Sequence, residues 1–347
     1  MLRDLKIRRP LIVTDAGVLT TEAFARLQYI SGGKCPVYSE VHPNPTAEDV
    51  EGGARAFRRG RCDAVIAFGG GSPLDAGKAI RLRLKRPKLS LAKFDFSLDW
   101  SGLVPFIAIP TTAGTGSEVG RSSVITMGGR KRVLFHPALL AAIVILDPEL
   151  TVALPARLTA ATGADALTHC IESYTSTVYH PLCDGIALEG LHLMAEALPR
   201  AVKNGNDLEA RGKMQIAAMM GGIAFQKDLG VAHSLSHPLS TMCGLHHGTA
   251  NALTLPVSMD FNATRRPGLY RRVGIALGLG DPSDSATIAF VRSFLEGIGL
   301  RPGLRHYGVK PEQFAALSEQ ALADSCHQTN PVPVTKKDLR RLYEAAY

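Results

Sequence analysis

The stretch GVAHSLSHPLSTMCGLHHGTANA holds four of the chain's 11 histidines, His233, His237, His246 and His247, within fifteen positions. Upstream, ATGADALTHCIES sets Asp165 and His169 four residues apart in a segment with helical apolar spacing, so both side chains share one helix face. His233 and His237 repeat that spacing. His247 stands fourteen residues after His233, beyond Pro238 and Gly244, where a turn would return it toward the same point. One carboxylate with several imidazoles is a donor set for a divalent transition metal such as Fe2+ or Zn2+. None of the six cysteines stands at ligand spacing beside these residues, which argues against a closed structural zinc site. His246 adjoins His247, and neighbouring residues rarely aim at one ion. His42, His136, His180, His192, His306 and His327 have no partner at ligand spacing and read as surface or packed residues.

A second chemistry is written in glycine. AVIAFGGGSPLDAGKAI (64–80) puts Gly69, Gly70 and Gly71 at the end of a buried strand pattern, with a helix starting near Pro73. Residues without side chains let backbone amides approach a phosphate, and the helix N-terminus adds partial positive charge. The segment is not a nucleoside-triphosphate loop. Five residues separate Gly71 from Gly77, and Lys78 is followed by Ala79, where that loop needs four and then Ser or Thr. The strict dinucleotide fingerprint is also missing. IPTTAGTGSEVGRSSV (109–124) is a second polar, glycine-rich segment after a strand, whose plain alternative is an ordinary capped loop before a helix. Thr111, Thr112, Thr115 and Ser117 offer hydroxyls to a phosphate or a nicotinamide amide. Two such turns in one alternating region point to a dinucleotide.

The elements that position these groups follow from apolar patterning. PLIVTD (10–15), CPVYSEV (35–41), CDAVIAFGGGS (62–72), FIAIPTT (106–112) and AAIVILDPEL (141–150) read as strands. TTEAFARLQYI (20–30), PTAEDVEGGARAFRRG (45–60, with Thr46 as N-cap) and PLDAGKAIRLRL (73–84) read as helices. This alternation predicts a mostly parallel sheet covered by helices. After LDPELTVALP the strand patterns stop and the chain becomes helix-like. The expected division is an α/β dinucleotide-binding domain over 1–152 and an all-α metal-binding and substrate domain over 153–347.

Composition narrows the class. Hydrophobic residues make up 46% and charged residues 20%, ordinary for a soluble globular protein. The net charge of +8 raises the question of nucleic acid, but the basic residues are scattered in short groups and aromatics for base stacking are only 6%. No nucleic-acid partner is expected. The start, MLRDLKIRRPLIVTD, has no apolar signal core, and no run of 18 apolar residues occurs, so no membrane partner is expected. Six unpatterned cysteines fit a cytoplasmic protein with reduced thiols.

The motifs GGGSPLDAGKA, IPTTAGTGSEV, TAATGADALTHCIESYTS, HSLSHPLS, HHGTANA and NPVPVTKKDLRRLYEAAY together resemble the iron-containing (group III) alcohol dehydrogenase family, over nearly the whole chain. The resemblance implies a dehydroquinate synthase-like architecture: an N-terminal nucleotide-binding α/β domain, an all-α C-terminal domain and an active site in the cleft between them. It implies metal ligation by Asp165, His169, His233 and His247, with His237 near the nicotinamide assisting proton transfer. Cofactor contacts map to Gly69, Gly70, Gly71, Ser72, Asp75, Thr111, Thr112, Thr115 and Ser117, and to Lys131. Ser39 stands where NAD-preferring members carry aspartate, so both NAD and NADP stay open, with Glu40 disfavouring a 2′-phosphate. Only eight residues precede RPLIVTD, where the family usually has a strand and helix that contribute to dimer contacts. The implied activity is reversible hydride transfer between a small alcohol and its aldehyde or ketone, with Fe2+ or Zn2+ and NAD or NADP, in a homodimer. Two other readings remain: a dehydroquinate synthase-like lyase or cyclase, whose relatives favour a glutamate with two histidines, and a nucleotide-binding relative without redox chemistry.

Overall fold

In the computed structural model, which describes residues 5–347, residue contacts divide the chain into two units. One comprises the chain to Thr112 together with Ser117–Ala153. The other comprises Ala113–Gly116 and Leu154–Tyr347. Met1–Asp4 of the basic start lie outside the described residues.

The apolar runs of the first unit become strands: β1 (Pro10–Val13), β2 (Val37–Tyr38), β3 (Ala64–Gly69), β4 (Phe106–Pro110), β5 (Ser122–Met127), β6 (Arg130–Phe135) and β7 (Ile143–Val144). Five of them form a parallel sheet in the order β2-β1-β3-β4-β7. Such a sheet is buried on both faces, which is why its strands carry unbroken apolar runs. Alternate residues serve opposite cores. Leu11, Val65 and Phe106 pack with Val50, Ile80 and Trp100 on one side, while Ile12, Ile66 and Ile107 pack with Phe24 on the other. Three helices accompany the sheet: α1 (Glu22–Ile30), α2 (Ala47–Arg59) and α3 (Gly71–Lys85). Thr46 caps α2 in a reciprocal pair with Asp49, as its position before the helix predicts.

Two expectations change. The segment after IPTTAGTG passes through a single 3-10 turn, Ser117–Val119, into the antiparallel hairpin β5–β6 instead of a full helix. Gly128 and Gly129 both take positive φ, 59° and 73°, the backbone that a tight two-residue hairpin turn demands. The α3 helix starts at Gly71, ahead of Pro73.

The second unit contains α4 (Ala156–Thr175), α5 (Pro181–Lys203), α6 (Leu208–Ala224), α7 (Val231–Cys243), α8 (His247–Arg265), α9 (Arg271–Ala276), α10 (Asp284–Gly297), α11 (Phe314–Ala323) and α12 (Lys336–Ala345). Sixteen of the 20 residues of α4 are buried, so this helix is wrapped on all sides and its polar residues need partners. Its small residues let neighbours come close. A Cβ on Gly248, in the first turn of α8, would lie 1.9 Å from the carbonyl oxygen of Ala161, so only glycine permits this approach of α8 to α4.

Candidate functional site

In the second unit, three helices bring four side chains to one point. Asp165 and His169 lie one turn apart on α4, His233 sits in the first turn of α7, and His247 is the first residue of α8. The turn joining α7 to α8 is made by Gly244 in the left-handed conformation, while Pro238 lies inside α7 rather than at the turn. Asp165 Oδ1 faces Nε2 of His247 at 3.5 Å, of His169 at 3.7 Å and of His233 at 3.8 Å. These separations suit donors that share one cation about 2 Å from each of them. Asp165, His169 and His233 are buried and His247 half-buried.

A surrounding layer orients the ligands. Glu172, one turn past His169 on α4, accepts from the His233 ring: its Oε2 lies 2.6 Å from Nδ1, and its Oε1 takes the Ala232 amide at 2.6 Å. With Nδ1 so engaged, Nε2 of His233 faces the centre, the arrangement that fixes an imidazole as a metal ligand. Asn251, one turn past His247, donates from Nδ2 to Asp165 Oδ1 at 2.7 Å and lies 3.2 Å from His233 Nε2 and 3.3 Å from His247 Nε2. The site favours positive charge. Burial lowers His233, but Asp165 and Glu172 together raise its pKa to about 9. Burial would raise Asp165, but the surrounding imidazoles hold it well below the usual carboxylate range. Burial dominates at His169, lowering its pKa to about 4. The N3O donor set, its burial and its oriented rings fit a divalent metal.

His237, on the same helix as His233, stacks on His247 at 5.3 Å between ring centres, and its Nδ1 lies 2.7 Å from Asp324 Oδ2. His246 is exposed and precedes α8. Of the histidines read as surface or packed, His136 and His180 cap helix starts with Nδ1, and His42 pairs with Asp49.

The first unit places Gly69, Gly70, Gly71 and Ser72 at the carboxyl end of β3 and the start of α3. Gly69 takes φ +154°, and a Cβ there would meet Pro73 Cγ at 2.7 Å. Gly70 is the helix N-cap and provides no side-chain cap. The turn lies at the point where the sheet order reverses between β1 and β3, the usual ligand site of an open α/β sheet. Thr111 and Thr112 follow β4, with the Thr111 amide bound to the Gly69 carbonyl at 2.9 Å. Ser39 follows β2, and Lys131 lies on β6 opposite Thr126. Thr115 belongs to the second unit.

Asp75 and Ser117 are tied to each other and to the neighbouring backbone. The Asp75 carboxylate accepts the Ser117 hydroxyl at 2.6 Å and the Val124 amide at 3.1 Å. The Lys78 ammonium, wholly buried, donates to the Ser117 hydroxyl and to the carbonyls of Ser117, Gly120 and Ser122. These bonds brace the loop against α3. Sequence reasoning missed four residues. Glu172 and Asn251 were within reach, since each shares a helix face with a recognised ligand. Asp15, at the end of β1, accepts the Gly17 and Val18 amides at 2.9 and 3.0 Å, and its carboxylate directly after a strand was a weak signal. Asp324 carries no local signal at all.

The family profile "Iron-containing alcohol dehydrogenase" matches residues 1–148, and "Fe-containing alcohol dehydrogenase family, C-terminal" matches residues 159–347. The chain belongs to the iron-containing alcohol dehydrogenase family. Among its relatives in that family, a 4-hydroxybutyrate dehydrogenase of Cupriavidus necator is 40% identical over 354 residues, covering 97% of this chain and 92% of the relative. The crystal structure of a 1,3-propanediol oxidoreductase superposes with a TM-score of 0.95 at 32% identity, covering 100% of this chain and 94% of that one. A sulfoacetaldehyde reductase from Bifidobacterium kashiwanohense, solved in complex with NAD+, superposes with a TM-score of 0.89 at 30% identity, covering 99% and 92%. This iron-containing alcohol dehydrogenase is therefore a metal-dependent oxidoreductase acting on CH–OH groups. Its α/β unit with a parallel sheet and its helical unit are those of the family's solved structures.

Proposed function

We propose that Asp165, His169, His233 and His247 hold a single Fe2+, for which Zn2+ can substitute, and that the enzyme exchanges hydride between a short primary alcohol and NAD. The convergence of three imidazole Nε2 atoms on Asp165 Oδ1 carries this reading. When bound, the metal supplies Lewis acidity to the substrate oxygen, and NAD supplies the hydride acceptor or donor. The chain's own residues do the rest. Glu172 and Asn251 keep His233 and Asp165 in their ligating orientations. His237 takes up the hydroxyl proton at Nε2 during oxidation and returns it during reduction. The amides at Gly69, Gly70, Gly71 and Ser72 cradle the pyrophosphate, and Thr111, Thr112 and Thr115 contact the rest of the cofactor.

NAD is favoured over NADP by the Asp15 carboxylate at the strand ends, where a Cβ on Gly69 would lie 3.5 Å from its Oδ2. The exposed Glu40 beside Ser39 adds negative charge. The NAD+ complex of the solved sulfoacetaldehyde reductase agrees with this preference. A short alcohol is supported by the names of the relatives, which act on 4-hydroxybutyrate and 1,3-propanediol. All six cysteines are free, which suits the cytoplasm, and among the described residues no helix is long and apolar enough to cross a membrane. A homodimer rests on the family resemblance, and light scattering tests it.

The test is anaerobic purification with elemental analysis, followed by a panel of primary alcohols, diols and hydroxy acids with each coenzyme. Stoichiometric metal with NAD reduction by short primary alcohols is expected. A metal-free protein that reduces neither coenzyme after reconstitution would overturn the reading.

A further inference from the structure

Asp324 lies just beyond α11, far along the chain from the histidine-rich stretch, yet its carboxylate is the partner of the half-buried His237. Oδ2 faces Nδ1 of that ring at 2.7 Å. Oδ1 accepts the Ser234 hydroxyl at 2.9 Å and the Cys326 amide at 2.9 Å. Ser234 is fully buried, and its oxygen accepts the His327 amide at 2.9 Å. The carboxylate is thereby held at Oδ1 by the Ser234 hydroxyl and the Cys326 amide, takes a further hydrogen bond from the Cys326 thiol, and presents Oδ2 to the His237 ring. An ionised carboxylate has no proton to give, so Nδ1 of His237 is the donor.

One donor atom each from His237, Asp324 and Cys326 falls within 4.8 Å of the others, near enough for a cation. However, both carboxylate oxygens already receive N–H or O–H donors, and a cation there would have to break those bonds. The arrangement instead suits an imidazole whose proton is kept at one nitrogen.

We propose that Asp324 is a positioning residue for His237: it keeps the ring proton on Nδ1, leaves Nε2 as the acceptor for the substrate's hydroxyl proton, and prevents the ring from turning over. The inference rests on the reading of His237 as proton acceptor. It also explains why Ser234 is buried and polar on the same helix as His233 and His237. Ser234 anchors the far oxygen of the carboxylate that orients the catalytic ring.

Asp324→Asn is an informative substitution because an amide cannot serve both sides. The Cys326 amide can only donate, so it selects the carbonyl oxygen of the new side chain. The amide NH2 then faces His237, and Nδ1 must accept. The ring proton moves to Nε2, where the relay needs a lone pair.

The experiment compares the wild type, Asp324→Asn, His237→Asn and the double variant, each loaded with metal. Asp324→Asn is expected to keep its metal content, melting temperature and KM for the alcohol while kcat falls about 10–100-fold. The double variant is expected to be no slower than His237→Asn alone, a non-additivity that a general structural role would not produce. In the zinc-loaded protein, nitrogen NMR of the ring should report Nδ1–H in the wild type and Nε2–H in Asp324→Asn. Ser234→Ala, a milder change, should lower kcat less and in the same KM-independent way, and it decides the matter if Asp324→Asn does not fold. Losses that multiply in the double variant, or an unchanged tautomer, overturn the inference. Full activity of His237→Asn would instead remove the relay reading itself, whatever Asp324 does.

Discussion

The histidine cluster of the helical unit is built from side chains, whereas the glycine turn of the α/β unit is built from backbone. In the cluster, the side chains are polar and buried or half-buried, and a second residue holds several of them: Glu172 for His233, Asn251 for Asp165, Asp324 for His237. In the turn, the amides are already aimed by the strand and the helix, and the polar side chains nearby are free for bracing. Asp75, Lys78 and Ser117 are joined in that way. A site that collects positive charge into a dry interior requires layers of partners, and one that receives an anion at a helix start requires room.

Removing a donor from the side-chain site should have the largest effect. Asp165→Ala deletes the oxygen that all three imidazoles face, and the purified protein should contain no stoichiometric metal and reduce no NAD, by elemental analysis and absorbance assay. Glu172→Gln leaves every ligand in place but weakens the grip on His233, so metal affinity in chelator competition should fall about 10–100-fold. Gly248→Ala tests whether the helix approach that sets His247 depends on a missing side chain. The new Cβ would press on the Ala161 carbonyl, destabilising the fold by about 1–3 kcal/mol in urea unfolding and loosening the metal.

Changes in the backbone site should be smaller and should spare the metal. Gly69→Ala forces a Cβ toward Pro73 at a φ that side chains rarely adopt, costing about 1–3 kcal/mol. It should raise the KM for NAD at unchanged metal content; a loss of metal instead would blur the contrast between the sites. The smallest effect concerns Glu118, just after the threonine-rich loop. Burial pushes its carboxyl up to about 7 from 4.5, with Lys78 opposing. The folded chain keeps this proton where the unfolded chain releases it, so the associated stability is complete below about pH 4.5 and is lost as pH rises through about 7. Glu118→Gln should flatten the decline of melting temperature across that window.

Legibility followed the range of the physical signal. Asp165 with His169, and His233 with His237, are read from helical spacing because a helix turns side chains four apart onto one face. Glu172 and Asn251 obey the same rule and were open to the same reading. The hairpin was equally readable, since Gly128-Gly129 between two β-prone runs is a turn signal, but the polar loop ahead of it suggested a helix cap. The parallel sheet was legible from apolar runs alternating with helices. The shortness of β2 and β7 was not, because pairing partners decide how much of an apolar run becomes strand.

By itself, the sequence determined most of the elements and which residue types each presents: periodicity, glycine positions and charge are local properties. It therefore contained both the histidine-carboxylate set and the glycine turn. Tertiary structure alone decided which donors meet and what holds them. The joining of Asp324 to His237, and of Asp75 to Ser117, are contacts across long stretches of chain. A carboxylate or hydroxyl looks the same in sequence whether it faces a substrate or its own backbone, and only packing chooses between them.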